Sequence, residues 1–233
     1  MKQTESAKTR IWKGHAKTER GIRHRRNGME CQDYAEMKRT DDRISIALVD
    51  GRGDTDVNAK AVKRITKTLN EFMLVFFEEI SQMDEKTIAY NLMLQVEREI
   101  GEMSKEYEVA NEELASTLLA FCIDEKKGKY CAIHLGDGVI ALKDNRDTIQ
   151  PLSMPTNGIS SNQTILSTSE DAMSFVKIYR GSIETIKGVM LASDGIYNGR
   201  EDWKRLGMYF SEKVEDVILE QKVDDQSVIT MHV

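Results

Sequence analysis

The sequence contains few of the residues that interrupt or cross-link a polypeptide chain. Of its 233 residues, two are proline and three are cysteine. Pro151 and Pro155 lie in one short stretch, so no proline-rich linker divides the chain, and we interpret residues 1–233 as a single domain. The cysteines are odd in number and form no Cys-x-x-Cys pair, which predicts reduced thiols rather than disulfides or a zinc site.

Long apolar runs are also missing. No apolar segment approaches the roughly 18 residues that a membrane-spanning helix requires. The first ten residues, MKQTESAKTR, lack the apolar centre of a signal peptide. We therefore expect a cytoplasmic protein without a membrane partner.

Charged residues are abundant but unevenly distributed. The net charge is -6 and the isoelectric point is about 5.4, which argues against a nucleic-acid partner. An N-terminal basic segment, residues 1–20, continues to Arg26, and between Lys8 and Arg26 the only acidic residue is Glu19. Two interpretations stay open: a solvated strand and loop, or a positive rim that attracts phosphorylated or acidic substrates.

Apolar periodicity predicts an α+β protein. Five short runs have the length and β-branched content of strands, at 44–49, 117–123, 130–135, 189–192 and 228–233. Two longer segments, 57–80 and 84–107, carry apolar residues at helical spacing, and a third helix is predicted from Glu201 to Met208 or onward to Glu220. Strands and helices are grouped rather than alternating, which favours α+β. Residues 145–170, rich in Asn, Ser, Thr and Gly, predict a loop or flap.

Carboxylates stand at the ends of several predicted strands. The positions are Asp50-Gly51, Gly136-Asp137-Gly138, Ser193-Asp194-Gly195 and, before the last strand, Asp224-Asp225. Neighbouring strands would gather these side chains into one cluster, in which the carboxylates repel one another. A divalent cation relieves that repulsion, and hard oxygen ligands favour Mg²⁺ or Mn²⁺. One Asp-Gly alone is more typical of a turn, so the predicted metal site depends on the whole set.

Other site motifs do not fit the sequence. Asp50, Asp54 and Asp56 have the spacing of a calcium loop, but Arg52 occupies its third position and Thr55 replaces the required glycine. No G-x-x-x-x-G-K-[ST], G-x-G-x-x-G or H-E-x-x-H occurs. These absences argue against calcium-binding, NTPase, dinucleotide-binding and zinc-protease functions.

Six short motifs follow one another between residues 21 and 233. They are Cys31-Gln32-Asp33, Val49-Asp50-Gly51-Arg52-Gly53, Ala115-Ser116-Thr117, Leu135-Gly136-Asp137-Gly138, Ala192-Ser193-Asp194-Gly195 and Asp224-Asp225-Gln226-Ser227-Val228. As an ordered set they resemble the type-2C metal-dependent Ser/Thr protein phosphatases. Residues 23–28, Asn157-Gly158 and Asn162-Gln163-Thr164 are similar to a compact bacterial branch of that family.

The resemblance implies a fold and a set of roles. The fold would be a four-layer α-β-β-α sandwich, in which helix pairs flank two antiparallel sheets and the metals lie at one end. Asp50 would bridge two Mn²⁺ or Mg²⁺ ions, the Gly51 carbonyl would bind one of them, and Asp194 and Asp224 would hold the other. Asp33 would act with Asp50 in catalysis, from outside the metal shell, on a metal-bound water. No phosphoenzyme is expected.

Four positions depart from the family pattern. Gln32 stands where the family has an acidic residue, so water would replace one ligand. Arg52 stands where the family has a histidine that protonates the leaving group. Asp137 matches a third-metal ligand, but its usual partner is Asn198, so a third ion is expected to bind weakly or not at all. The family's phosphate-binding arginine falls on Gly28, which leaves Arg26, Arg23 and Arg52 as candidates.

The leading hypothesis is a metal-dependent phosphatase that hydrolyses phosphoserine or phosphothreonine in proteins with a metal-activated water. The departures from the pattern keep a second hypothesis open, a catalytically weak or inactive module of the same fold that binds phosphoproteins. A third is hydrolysis of a small phosphorylated molecule. The expected partner is a phosphorylated protein rather than nucleic acid.

Overall fold

Two five-stranded sheets dominate the computed structural model, which describes residues 11–53, 55–155, 164–197, 203–210 and 222–233. With strands numbered in chain order, the first sheet has the spatial order β2 (Asp33–Arg39), β3 (Arg43–Asp50), β4 (Leu118–Asp124), β5 (Lys129–Leu135) and β8 (Lys177–Ser182). The second has the order β1 (Lys13–Glu19), β10 (Gln226–His232), β9 (Ile186–Ala192), β6 (Val139–Asp144) and β7 (Ile149–Ser153). Every neighbouring pair is antiparallel.

The helices lie between these strands in the sequence. They are α1 (Ile22–Arg26), α2 (Asp56–Val75), α3 (Phe77–Gln82), α4 (Glu85–Tyr107) and α5 (Ala172–Phe175), with 3₁₀ turns at Asn111–Leu114 and Leu206–Phe210. None of the helices in the described part of the chain is long and apolar enough to cross a membrane.

The sheets pack face to face because the central strands alternate their side chains between two apolar surroundings. In β3, Ile44, Ile46 and Leu48 enter the core between the sheets. Ala47 and Val49 point the other way, into a core shared with α2, α3 and α4. A third apolar cluster covers the outer face of the second sheet, where the described residues contribute the 3₁₀ turn Leu206–Phe210.

The predicted α+β fold with two antiparallel sheets is therefore confirmed. All five predicted strands and the helix at 84–107 are present. The third predicted helix is described only from 203 to 210 and contains a 3₁₀ turn there. Its remaining residues, 201–202 and 211–220, lie outside the described part.

The helix predicted at 57–80 is two helices. Phe76 leaves helical geometry, with φ -96° and ψ 20°. Arg43 donates from Nη1 to the Leu74 carbonyl at 2.8 Å, and in an uninterrupted helix that carbonyl would accept from residue 78. The same guanidinium pairs with Asp124 at 3.1 Å and Glu78 at 2.6 Å. A hydrogen bond from β3 thus occupies a carbonyl in the last turn of α2, and helical periodicity could not reveal this contact.

The predicted flap at 145–170 also needs correction at its start. Ile149–Ser153 is strand β7, which forms a hairpin with β6. Pro151 lies within it, and an edge strand tolerates proline because one side of its backbone needs no ladder partner. Residues 156–163 of the flap lie outside the described part of the chain.

Candidate metal centre

Five aspartates predicted from the sequence lie around one end of the two sheets. Asp33 begins β2 and stands directly opposite Asp50, the last residue of β3. Asp137 follows β5, Asp194 follows β9, and Asp224 precedes β10. Asp33 and Asp50 thus lie within paired strands, and the other three aspartates lie within two residues of a strand end, as the sequence pattern predicts.

A cavity of about 490 Å³ opens at this end. Four of the aspartates line it, namely Asp50, Asp137, Asp194 and Asp224, together with Gly51 and two arginines, Arg23 and Arg52. Acidic groups thus share one cavity with basic groups. This combination suits a cation together with an anionic ligand.

The tightest group is Asp50, Asp137 and Asp194. Each offers a carboxylate oxygen, and these oxygens lie within 4.8 Å of one another. Asp224 is farther out: its carboxylate accepts a hydrogen bond from the Asp225 amide at 3.0 Å and lies 3.8 Å from the Arg23 guanidinium. Asp137, which the sequence assigns to a weak third site, is therefore brought into the central cluster.

Burial and mutual repulsion disfavour the charged forms of these carboxylates, and a bound cation would relieve both effects. Burial, with the charges of Asp33 and Asp194, raises the pKa of Asp50 well above its ordinary value. Burial, followed by the charges of Asp137 and Asp224, raises the pKa of Asp194 to about 6. An all-oxygen donor set under this mutual repulsion fits a hard divalent ion such as Mg²⁺ or Mn²⁺.

Asp33 lies beneath the cavity rather than on its wall. Its carboxyl is 3% exposed and lies close to Ser193 and Asp50. Burial, with the charge of Asp225, raises the pKa of Asp33 to about 8. This placement agrees with the expectation that Asp33 lies outside the metal shell.

Gly51 has a packing requirement that the sequence pattern does not explain. A Cβ at this position would lie 1.8 Å from Asn58 Oδ1 and 2.7 Å from a Val62 methyl group. The backbone of the cavity wall therefore rests directly on α2. Asn58 also donates from its amide to the Glu113 carbonyl at 2.8 Å, which fixes the opposite side of the wall.

The three candidate phosphate-binding arginines differ in their position relative to the cavity. Arg23 and Arg52 line the cavity, whereas Arg26 stands exposed at the end of α1 and is not part of the lining. Gly28 has φ +70°, a left-handed conformation that favours glycine. An arginine at the family's usual position would therefore be strained here.

Gln32 is turned away from the cavity. It is 1% exposed, and its side-chain amide donates a hydrogen bond to the backbone carbonyl of Thr55, just before α2, at 3.1 Å. Asn198, Asn157-Gly158 and Asn162-Gln163 lie outside the described residues. Thr164, which ends the last of these motifs, lines the cavity and donates its hydroxyl to Asp137.

Three further residues hold the aspartates and their neighbours in position, a role that the sequence motifs did not predict. Thr117 accepts a hydrogen bond from the Asp50 amide at 3.1 Å, and His24 pairs with Asp225 at 2.9 Å. Burial would raise the pKa of Asp225, but hydrogen bonds from the Gln32 and Gly21 amides and from His24 lower it below its ordinary value. A histidine 201 residues away could not be assigned to this aspartate from spacing.

Comparisons with known proteins identify the family and show a shared fold. The family model described as Protein phosphatase 2C matches residues 20–226. No curated protein sequence matches. Stp1, a serine/threonine phosphatase from Staphylococcus aureus, has a similar structure with a TM-score of 0.64 at 13% identity, over 100% of this chain and 99% of that one.

Two further solved structures are similar. The S. agalactiae serine/threonine phosphatase has a TM-score of 0.64 at 14% identity and covers 96% of this chain and 100% of its own. RsbX, solved in complex with magnesium, has a TM-score of 0.59 at 14% identity over 100% and 99% of the two chains. At these identities the likeness shows a shared fold.

The raised pKa values predict how the metal-free protein responds to pH. A carboxyl with a raised pKa holds its proton longer in the folded state, so stability is present at low pH and lost as the pH rises through about 8 for Asp33. In EDTA, we expect the unfolding temperature to fall between pH 7 and 8.5. His134, whose pKa burial lowers to about 3, opposes this trend only below its ordinary value of 6.5.

Differential scanning fluorimetry in EDTA, in one buffer at pH 7 and one at pH 8.5, would measure this change in unfolding temperature. Saturating Mn²⁺ should flatten the dependence, because the cation replaces the protons. Asp50→Asn should weaken it in EDTA by removing one charge from the cluster. Stability in EDTA that is constant or increases over this window would contradict the expected carboxylate repulsion.

Proposed function

The chain belongs to the protein phosphatase 2C family, and we propose that it is a metal-dependent phosphatase acting on phosphoserine or phosphothreonine in proteins. One observation carries the proposal. Three carboxylates with oxygens within 4.8 Å of one another lie in a cavity that also exposes two arginines. Such a site can bind a cation and a phosphate group side by side.

The carboxylates are assigned as metal ligands. Asp50, Asp194, Asp224 and the Gly51 carbonyl would hold two Mn²⁺ or Mg²⁺ ions, with Asp50 contributing to both. Asp137 is close enough to Asp50 and Asp194 to contribute as well. When bound, two such ions lower the pKa of a bound water and offset the charge of the phosphate.

The other site residues orient the substrate and the ligands. Arg23 and Arg52, on the cavity lining, are proposed to bind phosphate oxygens, and Arg26 is left as a surface charge. Asp33, opposite Asp50 in the β2–β3 pair, is proposed to act with Asp50 on the attacking water. In the reaction, water oxygen bonds to phosphorus as the phosphorus–ester oxygen bond breaks, and no side chain of the protein is phosphorylated.

The leaving alcohol needs a proton, and Arg52 cannot supply it. A guanidinium does not release its proton near neutral pH. The alkoxide of a serine or threonine side chain therefore takes its proton from water. A phenolate leaving group needs less help of this kind.

One observation favours the alternative of a weakly active or inactive phosphoprotein-binding module. Gln32 replaces an expected acidic ligand, and its amide is engaged with Thr55 rather than with the cavity. The site would then hold one of its ions with fewer protein ligands. A bacterial source, a cytoplasmic location and a phosphoprotein partner stay predictions.

Hydrolysis of p-nitrophenyl phosphate by the purified protein tests the proposed activity. We expect turnover that requires Mn²⁺ or Mg²⁺ and that falls by about 100-fold or more in Asp50→Asn and Asp194→Asn, since each removes several kcal/mol of charge stabilisation. Asp124→Asn is a control, because Asp124 is a buried carboxylate at the far end of β4 and is not part of the cavity lining.

Two results would contradict the proposal. Turnover that persists in EDTA would exclude metal dependence. Absence of turnover with any divalent metal, together with tight phosphopeptide binding, would favour the inactive module. Turnover of aryl phosphate and small phosphate esters without any phosphopeptide hydrolysis would indicate the small-molecule substrate.

Arg52 gives a separate prediction about leaving groups. We expect kcat/KM for p-nitrophenyl phosphate to exceed that for a phosphoserine peptide by a large factor. Arg52→His should narrow the ratio by about 100-fold, the lower range of general acid catalysis, while Arg52→Lys should not narrow it. The measurement is kcat/KM for both substrates across the three proteins. Equal efficiency of the wild-type protein on both substrates would mean that leaving-group protonation has not been lost.

A further inference from the structure

A buried histidine–aspartate pair lies behind the metal centre. His24 and Asp225 are 2% and 3% exposed, and His24 Nδ1 lies 2.9 Å from Asp225 Oδ2. The Asp225 carboxylate also accepts from the backbone amides of Gly21 at 2.6 Å and Gln32 at 2.5 Å. One carboxylate therefore joins two neighbouring N-terminal segments, at Gly21–His24 and at Gln32, to the residue before β10, which is 193 to 204 residues away in the sequence.

Each joined segment carries a residue of the metal centre next to the contact. Asp224 precedes Asp225, Arg23 precedes His24, and Asp33 follows Gln32. The pair itself is not part of the cavity lining. It therefore acts on the site through the backbone positions of these neighbours.

Close backbone packing shows how tightly this junction is built. A Cβ on Gly21 would lie 2.4 Å from the Asp224 carbonyl carbon, and a Cβ on Gly195 would lie 1.9 Å from the Asp225 carbonyl oxygen. Gly195 directly follows Asp194, so a fourth site residue touches the same junction. Backbone hydrogen bonds from Ile22 to Lys222 and from Arg23 to Val223, at 2.9 and 3.1 Å, continue it.

Asp224 depends on this junction more than the other ligands do. Its side chain is 57% exposed, and it lies before the first residue of β10, so the sheet ladder does not hold it. Asp50, by contrast, is the last residue of a strand paired on both sides. A shift of the junction would move Asp224 and Arg23 while leaving Asp50 in place.

We propose that the His24–Asp225 pair is a positioning element that sets the placement of Asp224, Arg23 and Asp33 around the metal centre and thereby sets its affinity for divalent cations. The inference rests on the proposed function, since it assigns Asp224 as a ligand. His24 and Asp225 touch neither substrate nor metal in this account.

Mn²⁺ binding to the metal-free protein tests the proposal without any assay of activity. Titration calorimetry on wild type, His24→Ala and Asp225→Asn should show Mn²⁺ affinity about 10- to 100-fold weaker in both variants, the usual effect of removing a partner of a metal ligand. His24→Asn should recover most of the affinity, because its amide can donate to Asp225 from nearly the position of Nδ1.

Asp124→Asn is the matched control for general loss of stability. Asp124 is 2% exposed and pairs with Arg43 at the opposite end of β3 from Asp50. We expect this variant to unfold at a lower temperature and to bind Mn²⁺ as the wild type does.

The possible results separate the two claims. Unchanged Mn²⁺ affinity in folded Asp225→Asn or His24→Ala would overturn the positioning role, and so would an equal loss in Asp124→Asn. If His24→Ala does not fold, Mn²⁺ affinity is compared between His24→Asn and Asp225→Asn. The positioning role predicts a strong loss of affinity in Asp225→Asn alone. Failure of the wild type to bind Mn²⁺ would overturn the proposed function itself.

Discussion

Mutual repulsion among buried carboxylates is the constraint on which the rest of the structure depends. Asp50, Asp137 and Asp194 bring their oxygens within 4.8 Å, and Asp33 stands opposite Asp50 on the neighbouring strand. Burial raises the pKa values of Asp33, Asp50 and Asp194 because charged forms lose hydration there. Without a cation, the protein can keep such a cluster only by retaining protons on it.

The scaffold opposes this repulsion with rigid strand ends. Asp50 is fixed on one side by β2 and on the other by Thr117, and Gly51 packs directly on α2. At the opposite end of β3, Arg43 joins the sheet to α2 and α3 through Asp124, Leu74 and Glu78. One end of β3 thus carries the carboxylate cluster, and the other carries an ion-pair network.

Local patterns predicted the elements that are apolar and regular. β3, β4, β5 and β9 follow from short apolar runs and α4 from helical spacing, and the aspartates at or just after the ends of β3, β5 and β9 predicted the candidate metal centre. β2 and β8 were not predicted because charged residues, and in β8 a glycine, interrupt their apolar residues. β6 and β7 were not predicted either, although β6 begins with a short apolar run. Contacts between residues distant in sequence were not predictable. Arg43, on strand β3, donates a hydrogen bond to the last turn of α2, and His24 contacts Asp225, which is 201 residues away.

A crystal structure determined with Mn²⁺, using anomalous scattering at the manganese edge, tests the central claim most directly. The account predicts two anomalous peaks about 3.5–4 Å apart on either side of the Asp50 carboxylate, with Asp194 and Asp224 on one ion. Manganese absent from the cavity at saturating concentration, or bound only at exposed acidic side chains elsewhere, would contradict it.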